Sequence, residues 1–266
     1  MYSITVPITH KAISLWAMAK FAHDNITPYQ DSNLTKSQQV ASMFDNIAAK
    51  YDFLNHFLSI GIDVTWRKHA LNELKSLHPQ KMLDVATGTG DVAIMAARRL
   101  QPKSVVGLDL SAGMLAVGKE KVAKAKLSNI IEMVQGNSEE LPFEDNTFDA
   151  VTVSFGVRNF QNLEKGLKEM YRVLKPGGKC VIIEFSRPKQ SLFKGLYKLY
   201  MNVVTPNIGK MVSKNYEAYE YLNESAKHFP EREDFTHILS SCGYSNTKFV
   251  PQTMGICCIY IGEKKQ

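Results

Sequence analysis

Residues 81–91, Lys-Met-Leu-Asp-Val-Ala-Thr-Gly-Thr-Gly-Asp, contain the pattern that decides the fold. The largely apolar run 82–86 predicts a buried parallel strand, the turn 87–90 ends it, and a helical pattern begins at Asp91. When strand, glycine turn and helix follow in this order, backbone groups can approach a nucleotide closely. We expect Asp91 to cap the new helix, because its carboxylate can accept hydrogen bonds from amides of the first turn.

Polar residues also follow the next two predicted strands. Asp109 lies near the end of the second strand, about twenty residues beyond the glycines, where a carboxylate can hold the two ribose hydroxyls of a nucleoside. Residues 135–138, Gln-Gly-Asn-Ser, end the third strand, so Asn137 and Ser138 can present polar groups to an adenine edge. The alternative for these two residues is a solvated loop. Ligands of parallel sheets bind beyond the carboxyl ends of the strands, which favours the nucleoside site.

The glycine turn distinguishes between kinds of nucleotide site. It lacks the third glycine of G-x-G-x-x-G, and no Gly-Lys-Ser/Thr follows, so neither a dinucleotide site nor a P-loop is supported. The pattern acidic-x-Ala-x-Gly-x-Gly resembles the first motif of S-adenosyl-L-methionine (AdoMet) methyltransferases, with Ala86 in place of the usual first glycine. The resemblance implies AdoMet as the cofactor, with binding residues from this turn: Asp84, Gly88, Thr89 and Gly90.

Strands and helices alternate regularly after the first strand. Five strands are predicted over residues 82–86, 105–110, 130–135, 149–155 and 179–185, with helices over 92–100, 112–125 and 163–174. This alternation predicts a parallel sheet with helices on both faces. The last two strands, 245–250 and 256–261, have no crossover helix between them and should pair as an antiparallel hairpin. Such a seven-stranded sheet is the Rossmann-like variant found in class I AdoMet-dependent methyltransferases.

The chain is expected to divide at residue 37. Residues 1–37 are interpreted as a flexible or weakly helical N-terminal extension, and 38–266 as one AdoMet-dependent methyltransferase domain. An organelle-targeting helix is the alternative for residues 1–23, but that segment lacks arginine. Helical patterns over 38–51 and 65–77 precede the first strand and can fold over its carboxyl edge. Residues 191–229 offer no strand and are expected to form a helical lid.

Composition narrows the class of protein. The hydrophobic content of 44% and charged content of 22% are ordinary for a globular protein, and no apolar run approaches the length of a membrane span. The net charge of +6 permits contact with anionic membranes, but the lysines are scattered, so no nucleic-acid partner is expected. The four cysteines show no C-x-x-C spacing, so no metal site is expected, and a reducing cytoplasmic setting is the default.

The end of the fourth strand, residues 154–160, reads Ser-Phe-Gly-Val-Arg-Asn-Phe. Many AdoMet enzymes that methylate exocyclic nitrogens carry Asn/Asp-Pro-Pro-aromatic here, and that motif is absent. Arg158 is either a surface ion-pair residue or a cation that stabilises an oxyanion. Arginine stays protonated and cannot be a general base, but it can lower the pKa of a phenolic hydroxyl or hold a water molecule.

Several stretches together resemble the menaquinone/ubiquinone biosynthesis C-methyltransferase family. They are residues 43–56, 58–63, 66–67, 84–91, 137–143, 154–159 and 170–178, and the match covers about Gln38 to the C-terminus. The resemblance implies AdoMet-dependent methylation of a ring carbon of a polyprenylated quinol. Demethylmenaquinol, giving menaquinol, is the first interpretation, and 2-methoxy-6-polyprenyl-1,4-benzoquinol of ubiquinone biosynthesis is the second. A non-catalytic AdoMet-binding regulator is a third.

The same resemblance implies roles for individual residues. Those expected against AdoMet are Thr89, Asp109, Asn137, Ser138 and Ser154. Candidates for the proton chemistry are Arg158 with Asn159 through a bound water, and Tyr51, Asn55 or His56 from the N-terminal helices. Expected partners are the quinol and, transiently, the inner face of the membrane, with a homodimer left open.

Overall fold

The structure is a computed structural model that describes residues 21–29, 32–58, 61–188 and 216–266. Most of the predicted lid, residues 191–229, therefore lies outside the described residues. Seven strands form one sheet in the order β3-β2-β1-β4-β5-β7-β6. They are β1 Lys81–Val85, β2 Ser104–Asp109, β3 Ile131–Gln135, β4 Phe148–Ser154, β5 Leu174–Phe185, β6 Ser245–Gln252 and β7 Cys257–Glu263.

Strands β1 to β5 pair in parallel, whereas β7 runs antiparallel to both of its neighbours, β5 and β6. The predicted seven-stranded sheet with a closing hairpin is confirmed. The chain progresses outward from β1 through β2 to β3, then returns to place β4 on the other side of β1. This reversal puts the topological switch point at the carboxyl ends of β1 and β4, where sheets of this kind bind their ligands.

The helices occupy both faces of the sheet and its carboxyl edge. They are α1 Lys36–Leu58, α2 Ile62–Asn72, α3 Asp91–Leu100, α4 Ala112–Lys124, α5 Leu163–Val173, α6 Tyr216–His228 and α7 Glu233–Ser241. The segment predicted as one helix over 65–77 is α2 followed by a separate 3-10 turn, Lys75–Leu77. Among the described residues, no helix is both long and apolar enough to span a bilayer.

Two apolar layers, one on each face of the sheet, hold the domain together. Successive residues of a strand point to opposite faces, so β1 contributes to both layers. Leu83 and Val85 pack with side chains of α5 and α7, whereas Met82 packs with side chains of α2, α3 and α4. All three side chains are almost fully buried. Strand β1 is therefore held by packing on both faces, and this packing determines the position of the glycine turn that follows it.

The cap of α3 differs from the prediction. Gly90, with a φ of 81°, is the N-cap, and Asp91 is the first residue of the helix. The carboxylate of Asp91 pairs with Lys121 of α4 at 2.5 Å and with Arg67 of α2 at 3.4 Å. The left-handed turn at Gly90 moves Asp91 into the first helical turn, where a negative charge is still favourable. Asp91 thus links three helices instead of capping one.

The described part of the N-terminal extension packs against the domain. Ala22–Asn25 form a 3-10 turn in which His23 is fully buried. The His23 ring lies edge-on to Phe229, with ring centroids 5.2 Å apart, and its carbonyl oxygen accepts a hydrogen bond from Lys36 Nζ at 2.7 Å. The 3-10 turn Ala22–Asn25 is therefore held close to the C-terminal end of α6.

Candidate active site

The turn after β1 and the loop after β4 both adopt left-handed backbone conformations. Gly88 and Gly90 do so at φ values of 57° and 81°, which glycine tolerates because it has no Cβ. Ala86 and Phe155 do so at 51° and 58°, where a side chain adds about 1–2 kcal/mol of strain. Strained backbone persists where the surrounding structure enforces it, often at functional sites. Both strained residues follow the two strands that form the switch point.

Asp84 supports the glycine turn from below. Its carboxylate accepts hydrogen bonds from the Thr87 hydroxyl and from the Thr152 hydroxyl of β4, both at 2.6 Å. Burial raises the pKa of Asp84 to about 6, although the two hydroxyls oppose the shift. The structure therefore places Asp84 inside the sheet, where it holds Thr87 and β4 in position.

Asp109 joins the end of β2 to the glycine turn. Its Oδ2 accepts the amide of Gly88 at 2.8 Å, and its Oδ1 accepts the amide of Ser111 at 2.9 Å. Burial raises the pKa of Asp109, and these amides oppose that shift. A carboxylate oxygen has two lone pairs, so each oxygen can accept a second donor such as a ribose hydroxyl. This geometry is compatible with the role predicted for Asp109.

Two further features fit a nucleoside-containing cofactor such as AdoMet. Ser154 Oγ is buried at the end of β4 with no hydrogen-bond partner among the described residues. Among the described residues, the nearest neighbour of a Cβ added to Gly88 would be Tyr51 Cε1, at 4.0 Å, so this part of the structure leaves room for a ligand to approach the backbone closely. An unpaired buried hydroxyl is unfavourable unless a ligand satisfies it.

The other residues predicted to contact AdoMet make local interactions. Thr89 is buried, and its hydroxyl accepts a hydrogen bond from Lys121 Nζ at 3.0 Å. Asn137 and Ser138 are half-buried after β3, and Asn137 Oδ1 accepts the amide of Glu139 at 2.9 Å. All lie at the carboxyl edge of the sheet, as predicted, together with Asp109.

One contact at this edge was not predicted from the sequence. Asp45 of α1 accepts hydrogen bonds from the Ser111 hydroxyl at 2.5 Å and from the Gly113 amide at 2.8 Å. Ser111 is the N-cap of α4 and also donates to Asp109. Helix α1 is therefore fastened to the loop that carries the proposed ribose-binding acid.

Arg158 is buried and paired with an acid. It is 4% exposed, and its Nη1 donates to the Phe155 carbonyl at 2.8 Å and to Glu184 Oε1 at 2.6 Å. The guanidinium also lies over the ring of Phe185, 5.4 Å from the centroid. The interpretation of Arg158 as a surface ion-pair residue is therefore wrong, because both partners are inside the protein.

Asn159 is held by a tyrosine from α6. The Tyr221 hydroxyl donates to Asn159 Oδ1 at 3.1 Å. Tyr221 is buried, and this raises the pKa of its phenol, although the nearby charge of Arg158 opposes the shift. Tyr221 also lines a cavity of about 750 Å³ between α6 and the N-terminal segment that contains Tyr29. Tyr221 thus contacts Asn159, next to Arg158, and also lines this cavity.

Two of the N-terminal candidates are placed differently. Tyr51 is half-buried beside the glycine turn, and its ring packs edge-on against Phe44 at 5.7 Å between centroids. His56 lies in α1, but its side chain is outside the described part of the structure. The structure therefore places Tyr51 at the expected cofactor end of the site and leaves the role of His56 a prediction.

Sequence reasoning missed Glu184 and Tyr221. Glu184 interrupts the apolar run Val181-Ile-Ile-Glu-Phe185, as Asp84 interrupts the run in β1. An acid inside a buried strand needs a partner, so this pattern could have identified it. Tyr221 lies among many aromatic residues of the predicted lid, residues 191–229, and no periodicity of the sequence distinguishes it from them.

Solved structures share this architecture. A SAM-dependent methyltransferase from Thermotoga maritima superimposes with a TM-score of 0.58 at 20% identity, covering 85% of this chain and 99% of that one. The [4+2]-cyclase SpnF superimposes with a TM-score of 0.59 at 16% identity, covering 87% and 97%. The cyclase shows that this fold alone does not determine the reaction. The sheet and its strand-end site define the class I AdoMet-dependent methyltransferase fold.

Comparison of sequences gives the family. The model of the ubiE/COQ5 methyltransferase family matches residues 32–264, and the chain belongs to that family. A demethylmenaquinone methyltransferase from Bacteroides fragilis is 48% identical over 244 residues, covering 92% of this chain and 99% of the relative. The ubiquinone/menaquinone biosynthesis C-methyltransferase UbiE of Geobacter sulfurreducens is 46% identical over 230 residues, covering 86% and 90%. The protein is an AdoMet-dependent methyltransferase, as the sequence predicted.

Proposed function

We propose that this protein methylates a ring carbon of demethylmenaquinol, with AdoMet as the methyl donor, to give menaquinol. The observation that carries the proposal is the buried Arg158, next to Asn159, on the loop that packs against the glycine turn. The similarity to the B. fragilis relative, over nearly its whole length, supports the choice of substrate.

The residues at the carboxyl edge of the sheet are proposed to hold AdoMet. Asp109 accepts the ribose hydroxyls, Ser154 supplies its unpaired hydroxyl, and Asn137 with Ser138 faces the adenine. Gly88 and Gly90 allow the close approach of the backbone, while Asp84 and Thr89 hold the turn in place. AdoMet supplies a methyl group already activated on a sulfonium, so orientation is the main contribution of the protein.

Arg158 and Asn159 are proposed to activate the quinol. A quinol ring carbon becomes a good nucleophile when a ring hydroxyl is ionised. A fixed guanidinium in a water-poor site stabilises that anion far better than water-exposed charge can. Asn159 is held by Tyr221 through its Oδ1, so its amide nitrogen remains the donor group toward a second quinol oxygen or a water molecule.

A benzoquinol precursor of ubiquinone is the second candidate, because the name of the G. sulfurreducens relative covers both pathways. Both substrates carry a polyprenyl tail. We therefore propose a cytoplasmic protein that contacts the inner face of the membrane transiently to collect its substrate. A homodimer is compatible with this arrangement.

Extraction of quinones from cells lacking the protein tests the substrate directly. Accumulation of demethylmenaquinone, reversed by the restored gene, supports the proposal. The purified protein is then given radiolabelled AdoMet and either quinol in detergent under reducing conditions. Transfer to the benzoquinol alone would assign the ubiquinone pathway, and transfer to neither would favour the non-catalytic regulator.

A further inference from the structure

Arg158 and Glu184 form a buried ion pair in which one atom of each partner is unsatisfied. Their side chains are 5% and 0% exposed. Arg158 Nε and Glu184 Oε2 have no hydrogen-bond partner in the part of the chain that the structure describes. Native proteins rarely leave buried polar atoms unpaired, and a bound ligand can supply the missing partner.

The unpaired atoms follow from the way the pair is made. Arginine and carboxylate usually meet through two parallel hydrogen bonds. Here a single contact joins Nη1 to Oε1, at 2.6 Å, and backbone groups share the same two atoms. Phe185 N donates to Oε1 at 2.9 Å, and the Phe155 carbonyl accepts from Nη1 at 2.8 Å. The ion pair therefore keeps one buried donor, Arg158 Nε, and one buried acceptor, Glu184 Oε2, without a partner among the described residues.

A hydroxyl group complements that combination, because it donates one hydrogen bond and accepts others. The Tyr221 hydroxyl donates to Asn159, the residue next to Arg158, and Tyr221 also lines the cavity beside α6. The quinol of the proposed function carries two ring hydroxyls.

We propose that Glu184 is the base that takes the hydroxyl proton of the quinol, while Arg158 holds the resulting anion. The inference rests on the proposed function and adds the proton acceptor that arginine cannot provide. The quinol O–H bond breaks, an O–H bond forms at Glu184 Oε2, and the electron pair stays on the quinol oxygen. Buried charge is conserved, because the Arg158–Glu184 pair becomes an Arg158–quinolate pair beside a neutral Glu184.

The second half of the reaction returns the proton. Once the ring carbon carries its new methyl group, that carbon must lose its hydrogen to restore aromaticity. That proton leaves to water, and neutral Glu184 gives its own proton back to the quinol oxygen. Glu184 and Arg158 are then paired again, and the net release is one proton per methyl group transferred.

The electrostatic surroundings suit this role. Burial raises the pKa of Glu184, and Arg158 opposes the shift, so the carboxyl becomes a stronger base when Arg158 turns toward the quinolate. The other titratable groups that face Glu184 are Tyr221, Cys257 and Tyr260. Burial raises the pKa of each, so all three stay protonated near neutral pH. They do not compete for the proton.

The experiment compares the wild type with Glu184→Gln, which keeps the shape and the acceptor oxygen but removes the base. Glu169→Gln is the matched control, because Glu169 of α5 also pairs with an arginine, Arg172 at 2.8 Å, outside the proposed site. Each protein is bound to S-adenosylhomocysteine and demethylmenaquinol without oxygen. Ultraviolet absorbance then reports whether the bound quinol is ionised at pH 7. Single-turnover methyl transfer is measured across pH with AdoMet.

The wild type and the control should show ionised quinol, whereas Glu184→Gln should show the neutral form with AdoMet affinity retained. Its methyl transfer should fall about a hundredfold or more at pH 7. That rate should rise about tenfold per pH unit toward the ionisation of the free quinol near pH 10. A variant with wild-type absorbance and pH profile overturns the inference, and so does a rate loss equal at every pH. If the variant misfolds, neutral quinol in the wild-type complex overturns it.

The proposed function and this inference fail in different ways. A wild type that transfers no methyl group to demethylmenaquinol contradicts the proposed function. A wild type that methylates the quinol while Glu184→Gln does so equally well contradicts only the role of Glu184.

Discussion

Gly156, beyond the end of β4, packs directly against Ala86 of the glycine turn. A Cβ added to Gly156 would lie 2.6 Å from the Cβ of Ala86 and 3.0 Å from Val153 Cγ1. The φ of Gly156 is −110°, which any residue can adopt, so the need for glycine here is one of space. This contact connects the turn proposed to hold AdoMet to the loop that carries Arg158.

Gly156→Ala should therefore lower stability by about 1–3 kcal/mol, the usual result of overpacking a core. Ala86→Gly should be close to neutral, because it removes the strain of a left-handed alanine but adds backbone entropy. The double variant should recover much of the lost stability, since the Cβ of residue 86 that the new Cβ would overlap is gone and only the contact with Val153 Cγ1 remains. Denaturant unfolding of the four proteins gives the coupling energy, expected at about 0.5–3 kcal/mol. Additive effects would show that the two loops do not press on each other.

Asp109→Ala should weaken AdoMet binding by about 1.5–3 kcal/mol, because the ribose hydroxyls lose a charged acceptor. The same change also removes the partner of the Gly88 and Ser111 amides, so a distorted turn could weaken binding as well. Calorimetric titration with S-adenosylhomocysteine and with its 2′,3′-dideoxyribose analogue separates the two effects. A ribose contact requires a clear loss for the natural ligand and a small one for the analogue. Equal losses for both ligands would assign Asp109 to the turn alone.

The strand pattern predicted the sheet because buried parallel strands appear in a sequence as apolar runs. The short connection 251–255 between the last two strands allowed only an antiparallel hairpin. The start of β5 was missed, since Pro176-Gly-Gly178 indicates a turn, yet pairing already begins where Leu174 meets Phe148. Asp91 was misplaced because the φ of Gly90 decides where α3 begins. The partnership of Arg158 with Glu184 joins residues 26 positions apart, and only the packing of two strand ends reveals it.

Arg158→Met should destabilise the protein by about 3–5 kcal/mol, because it leaves the buried Glu184 carboxylate without its cation. Adding Glu184→Gln should restore much of that stability, since a neutral side chain is cheaper to bury than an unpaired charge. Chemical denaturation of both single variants and the double variant measures the coupling. Independent, additive losses would mean that the pair contributes little beyond packing.

Arg158→Lys keeps the charge, but an ammonium does not reproduce the planar fork of a guanidinium. We expect AdoMet affinity within a few-fold of wild type and methyl transfer slower by about a hundredfold, the scale seen when one oxyanion donor is removed. The rate should recover partly at high pH, where the quinol ionises without help. Single-turnover measurement under reducing conditions tests this. A lysine variant that loses AdoMet binding instead would show that Arg158 mainly supports the cofactor site.

The N-terminal segment should detach in acid because of His23. Burial, followed by the charge of Lys36, lowers the pKa of His23 to about 3 from its ordinary value of 6.5. Below pH 6.5 His23 is therefore protonated in the unfolded segment but stays neutral in the folded one. Because the unfolded segment binds the extra proton, the stability of the folded segment falls as the pH falls from 6.5 toward 3. Between about pH 6.5 and 4.5 the loss should approach about 2–3 kcal/mol, at about 1.4 kcal/mol per pKa unit.

His23→Phe should remove most of this acid sensitivity, because a neutral ring still packs against Phe21 and Phe229. His237→Gln on the exposed face of α7 is the control and should keep the wild-type response. Thermal melting and amide hydrogen exchange, both followed from about pH 7 to 4.5, measure the effect. The exchange data should show the segment around His23 opening before the sheet does. Equal acid sensitivity in the wild type and His23→Phe would assign the effect to other groups, such as carboxylates that accept hydrogen bonds from backbone amides, as Asp109 does.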